Sequence, residues 1–96
     1  MTNSLVSIQI LPKAKDEEDV IPYVDHAISV IHESGLNYKV HPLETTIEGN
    51  LAEILPLIEK VNEAMVEKGA SNVISQIKVL YQPNGTSMDS LTEKYR

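Results

Sequence analysis

The stretch Leu36-Asn-Tyr-Lys-Val-His-Pro-Leu-Glu-Thr-Thr-Ile-Glu-Gly-Asn50 decides the architecture, because it separates two helical patterns and is not itself helical. In its first arm, Leu36–His41, Leu36, Tyr38 and Val40 alternate with Asn37, Lys39 and His41. In its second arm, Glu44–Gly49, Thr45 and Ile47 alternate with Thr46 and Glu48. A period of two marks a strand with unlike faces, and threonine and isoleucine favour extended backbone. Pro42 and Leu43 make the connection, so the stretch reads as a β-hairpin.

Helices are expected on both sides of it. Upstream, Val20, Val24, Ala27, Ile28 and Ile31 form a stripe at helical spacing in a segment from about Asp19 or Val20 to Ser34. Asp19 suits the N-cap, Pro22 falls in the tolerant first turn, and Gly35 closes the helix. Downstream, Asn50 and Glu53 have capping-box spacing, and Leu51, Ile54, Leu55, Ile58, Val61, Ala64 and Met65 give an apolar face before Gly69. Pro56 lies inside that helix and predicts a local kink.

Two further strands lie outside the helices. Val6, Ile8 and Ile10 alternate with Ser7 and Gln9 in Leu5–Leu11, which Pro12 is expected to end, with the charged run Lys13–Asp19 as a loop. Asn72–Tyr81 is rich in valine and isoleucine; Asn84-Gly85 then signals a turn, and Ser87–Arg96 a short helix. The order βαββαβ with right-handed crossovers gives an α+β, ferredoxin-like sandwich. Its antiparallel sheet has strand order 4-1-3-2, and both helices lie on one face. Residues 1–96 form a single domain.

Val6, Ile8, Ile10, Thr45 and Ile47 should turn toward the helices, leaving Ser7, Gln9, Thr46 and Glu48 on the open face. In the last strand Val73, Ser75, Ile77 and Val79 should face the helices and Ile74, Gln76, Lys78 and Leu80 the open side. The open face then carries converging polar groups rimmed by Leu5, Leu11, Ile74 and Leu80, which suits either a small ligand or a second copy of the chain.

Composition narrows the chemistry. Cysteine is absent, which excludes disulfides, a thiolate nucleophile and cysteine-bound zinc. Fourteen acidic residues against 8 basic ones give a net charge of −6, which opposes binding to nucleic acid or an anionic membrane. No apolar run reaches the roughly 20 residues that span a bilayer, and the N-terminus lacks a signal-peptide pattern, so cytoplasm is the expected location. His26, His32 and His41 have no carboxylate patterning for a metal site. A phosphate-cradling arginine is missing, since the only arginine is Arg96. No nucleophile or acid–base pair stands out, and an enzyme is not expected.

Three segments resemble the small thiamine-binding protein family: Val6-Ser-Ile-Gln-Ile-Leu-Pro12, Glu33-Ser-Gly-Leu-Asn-Tyr38 and Glu44-Thr-Thr-Ile-Glu-Gly49. Their order and spacing carry the likeness, which extends over nearly the whole chain. The resemblance implies non-catalytic binding of thiamine or its hydroxymethylpyrimidine moiety, held as a ligand and not as a catalytic cofactor. It also implies a homodimer or homotetramer formed through the sheet face and edges. Carried onto this chain, the ligand-binding positions are Ser7, Gln9, Ser34, Thr45, Thr46 and Glu48, with Gly35 and Gly49 as backbone positions. Tyr38 is the candidate for stacking on the ring. Where the family has a basic residue after the last strand, this chain has Gln82-Pro83. Glu48 is the carboxylate expected to pair with an aminopyrimidine, beside Gln9 and Thr46. The other reading is a structural or regulatory oligomerisation domain with no small ligand.

Overall fold

The computed structural model describes residues 2–13 and 19–95. Its elements are β1 (Ser4–Lys13), α1 (Ile21–Glu33), β2 (Asn37–Val40), β3 (Thr45–Gly49), α2 (Leu51–Lys68), β4 (Asn72–Tyr81) and α3 (Met88–Thr92), followed by a 3-10 turn at Glu93–Tyr95. The sheet is antiparallel in the order β2-β3-β1-β4, which is the expected order read from the other edge. The loop expected over Lys13–Asp19 lies mostly outside the described residues.

Pro12 does not end β1, which runs on to Lys13. The Gln82 N–H donates to the Asn3 carbonyl, so the backbone groups of odd-numbered β1 residues point toward β4. Those of even-numbered residues point toward β3. The ladder with β3 stops at Ile8↔Thr45, so the missing N–H of Pro12 faces a side where no strand needs it.

The core lies between the sheet and α1 with α2. Val6, Ile8 and Ile47 enter it from the sheet, joined by Ile54, Val61 and Met65 of α2. The α1 face is rotated from the expected stripe: Tyr23, Ala27, Val30 and Ile31 are buried, whereas Val20 and Val24 are exposed. In α2, Leu57 is 6% exposed and Leu55 is 53% exposed, reversing the expected roles. Both shifts have one cause: several apolar residues compete for a face, and the sheet can accept only one stripe.

Caps also differ from the local pattern. The Asp19 carboxylate accepts from the Ile21 N–H, while Val20 occupies the N-cap. The first turn of α2 is held from outside the helix, since the Asn3 side chain accepts from the Leu51 N–H. The open face is not wholly uncovered, because α3 lies over one end of it. There Leu5 is 9% exposed, beside Met88, which is itself buried.

Candidate functional site

Alternation along β3 brings Glu44, Thr46 and Glu48 to the open face and sends Thr45 and Ile47 toward the helices. On the open face, Ser7 lies opposite Thr46 and Lys78, and Gln9 opposite Gln76. The Ser7 hydroxyl donates to Glu44 Oε2, and the Lys78 ammonium stands 3.6 Å from the same oxygen. The Ser7 hydrogen bond holds the Glu44 carboxyl below its ordinary value; partial burial opposes this, and the charges of Lys78 and His41 reinforce it. A shallow pocket of about 460 Å³ opens here, lined by Gln9, Leu43, Glu44, Gln76, Ile77 and Lys78.

A second pocket, of about 190 Å³, lies where β3 ends before β1 does, between α1 and the tip of the hairpin. Ile8, Ile10, Ala27, Ile28 and Ile31 supply apolar wall, and Thr45, His41 and Glu44 supply polar groups. Thr45 is only 8% exposed. No side-chain hydrogen bond engages its hydroxyl, and the buried hydroxyl without a partner among the described residues is that of Thr86, outside this slot. Gln9, Leu43 and Glu44 border both pockets, so the two are neighbours across the end of the hairpin. An apolar slot of ring size with a few polar groups at its mouth suits a small heterocycle.

The structure separates the residues singled out in the sequence. Ser7, Gln9 and Thr46 lie on the open face around Glu44. Glu48 shares that face but sits opposite Leu5, roughly 13 Å along the strand from the level of Gln9. One Glu48 oxygen accepts from the Met88 N–H at 2.6 Å and the other from the Asn37 amide at 3.2 Å. Gln9 is therefore beside Glu44, not beside Glu48 as expected. Ser34 terminates α1, its hydroxyl donating to the Ile31 carbonyl and accepting from the Leu36 N–H. Tyr38 turns to the helix side, where it packs against the core and its hydroxyl meets His32 Nδ1 at 2.9 Å. Gly35 has φ +79°, and Gly49 is buried with Leu36 and Ile54 close by.

Glu44 is the residue that sequence reasoning left out of the site. Its parity with Thr46 and Glu48 was the available signal. Among the described residues, no group of three or more His, Asp or Glu side chains is placed to hold a metal ion. No described helix is long and apolar enough to cross a membrane.

Fold and pockets together define a small ferredoxin-like sandwich with a ring-sized slot at the open end of its sheet. Residues 6–96 match the family described as thiamine-binding protein, and the chain belongs to that family. It is 40% identical over 91 residues to a UPF0045 protein of Clostridium perfringens (strain 13 / Type A), with 95% of each chain covered. Among solved structures it is similar to a domain of unknown function from Bacillus cereus, with a TM-score of 0.92 and 38% identity over 99% of this chain and 91% of that one. It is also similar to a putative thiamine biosynthesis/salvage protein from Thermotoga maritima, with a TM-score of 0.88 and 28% identity over 98% and 99% of the two chains.

Proposed function

We propose that this protein binds thiamine or its hydroxymethylpyrimidine moiety without transforming it. The observation that carries this reading is the apolar slot itself, with Thr45, 8% exposed as a residue, in its wall beside His41 and Glu44. Apolar walls with a few polar groups at the mouth are what a small heterocycle requires, and the Thr45 hydroxyl is available to a ligand heteroatom. The pyrimidine occupies the slot, and the rest of the molecule passes Gln9 and Glu44 toward the open face. Thiamine carries a permanent positive charge on its thiazolium ring. The Glu44 carboxylate, whose ionised form the Ser7 hydrogen bond favours, offers that charge a counter-ion. Ser7, Gln9, Thr45 and Thr46 are thus retained as ligand-site residues, and Glu44 joins them. Glu48 instead anchors α3, while Ser34 and Tyr38 shape the end of α1.

The protein acts in the cytoplasm, as a binder and not as an enzyme, and has no nucleic-acid or membrane partner. It works as a homodimer or homotetramer. β4 is an edge strand with Ile74, Ile77, Val79, Leu80 and Tyr81 exposed, and long apolar edges are normally covered. Light scattering should therefore report two or four subunits, and a persistent monomer would remove this element of the reading. Titration calorimetry against thiamine, its phosphate esters and its separate pyrimidine and thiazole halves tests the ligand. Thiamine or the pyrimidine should bind. No heat for any of them would leave the exposed β4 surface as the main clue, and with it a structural or regulatory oligomerisation domain.

A further inference from the structure

The slot has a feature that no side chain supplies. Even-numbered residues of β1 direct their N–H and C=O groups toward β3, and the pairs Ser4↔Gly49, Val6↔Ile47 and Ile8↔Thr45 use up the first three. Ile10 comes next. Its partner in the same register would be Leu43, but the chain has already turned away there. The His41 N–H bonds the Glu44 carbonyl and closes the hairpin early. Among the described residues no hydrogen bond joins Ile10 to the hairpin tip. Ile10 lines the slot together with Thr45 and Leu43, so one backbone donor and one backbone acceptor lie side by side along its edge, in the plane of the sheet.

We infer that Ile10 recognises its ligand through the main chain, with an aminopyrimidine taking the place of the missing strand residue. A 4-aminopyrimidine presents a ring nitrogen that accepts and an adjacent exocyclic amine that donates. That pair complements a strand residue's N–H and C=O. The Ile10 N–H donates to the ring nitrogen, and the amine donates to the Ile10 carbonyl. The ring then lies as a continuation of the sheet, with the apolar face of α1 on one side of it. This rests on the proposed pyrimidine-binding reading and adds how the ring is oriented. It also explains why selectivity here does not depend on a buried charge: an unpaired strand edge inside a pocket already rejects rings that lack the donor–acceptor pair, because its own groups would stay unsatisfied.

Amide hydrogen exchange followed by NMR on the wild-type protein tests it directly. In the free protein the Ile10 amide should exchange much faster than those of Val6 and Ile8. Saturating thiamine should slow it at least tenfold and shift its resonance downfield. A parallel calorimetric comparison uses Ile10→Pro and Ile10→Ala, which both trim the side chain while only the first removes the N–H. Pro12 shows that this edge of β1 tolerates proline. I10P should bind thiamine roughly ten- to a hundredfold more weakly than I10A. If thiamine binds but Ile10 exchange is unchanged, main-chain recognition is overturned and the pyrimidine reading stands. If thiamine and the pyrimidine both fail to bind the wild-type protein, both fall together.

Discussion

Glu44 and Glu48 are the same residue type on the same line of the same sheet face, four positions apart, yet they have different employment. Glu48 sits within the β3 ladder, opposite Leu5, and its two oxygens are taken by the Met88 N–H and the Asn37 amide. A backbone donor at the start of α3 has nowhere else to go, so this carboxylate acts as a latch for the C-terminal helix. Glu44 sits just beyond the ladder, where the sheet opens. Its partners are the Ser7 hydroxyl and the Lys78 ammonium, both on side chains that can rotate away. Alternation decides which face a carboxylate meets; position relative to the end of pairing decides whether it is committed to the fold or available to a ligand.

Glu44→Gln keeps the shape and the bond from Ser7 but removes the charge facing the thiazolium. Calorimetry should show thiamine affinity falling roughly ten- to a hundredfold, with the separate, uncharged pyrimidine affected much less. Equal loss for both ligands would mean that Glu44 supports the slot and does not meet the cation.

A smaller effect is expected one residue along, on the other side of the strand. Thr45→Val replaces the hydroxyl in the slot wall with a methyl of similar size. Binding of both thiamine and the pyrimidine should weaken roughly tenfold. The melting temperature should stay level or rise slightly, because the hydroxyl has no protein partner to lose. Lower stability with unchanged affinity would make Thr45 a structural residue.

At Glu48 the effect should appear in stability and not in affinity. Glu48→Gln weakens the bond to the Met88 N–H, an interaction similar in kind to a helix cap and worth about 1 kcal/mol. Exchange at Met88–Thr92 should speed up and proteolysis near the C-terminus should increase, while thiamine affinity changes little. A tenfold loss of affinity in E48Q would return Glu48 to the ligand site.

The topology and the sheet faces were legible because they follow from local period and chain order. Asn72–Tyr81 could be bounded correctly from its valines and isoleucines, and Thr45 and Ile47 could be turned inward from alternation alone. The helix stripes were less so: Leu55 and Leu57 are equally apolar, and only the position of the sheet decides between them. The latch at Glu48 was not legible, because it depends on where a ten-residue tail folds back after the Asn84-Gly85 turn. Nor was the slot, which exists because β3 stops while β1 continues, and strand ends are poorly marked in sequence. Alternation turns Thr45 inward, and the slot it lines lies on that helix side of the sheet.

The smallest expected effect is in the pH dependence of binding, and it concerns Glu44. Ser7 holds the Glu44 pKa below its ordinary value. A depressed carboxylate contributes stabilisation that is fully present above the unfolded-state pKa, near 4.3 for glutamate, and is lost as pH falls through the lower folded value. Thiamine binding that depends on this charge should therefore be flat from about pH 8 to 5, and should weaken only below the normal glutamate range. Ser7→Ala removes the main cause of the depression, so the acid limb should move upward in pH while the plateau affinity stays nearly the same. The Lys78→Met variant removes a weaker contributor, and its shift should be in the same direction but smaller. An acid limb that stays in place in S7A would show that a group other than Glu44 sets it.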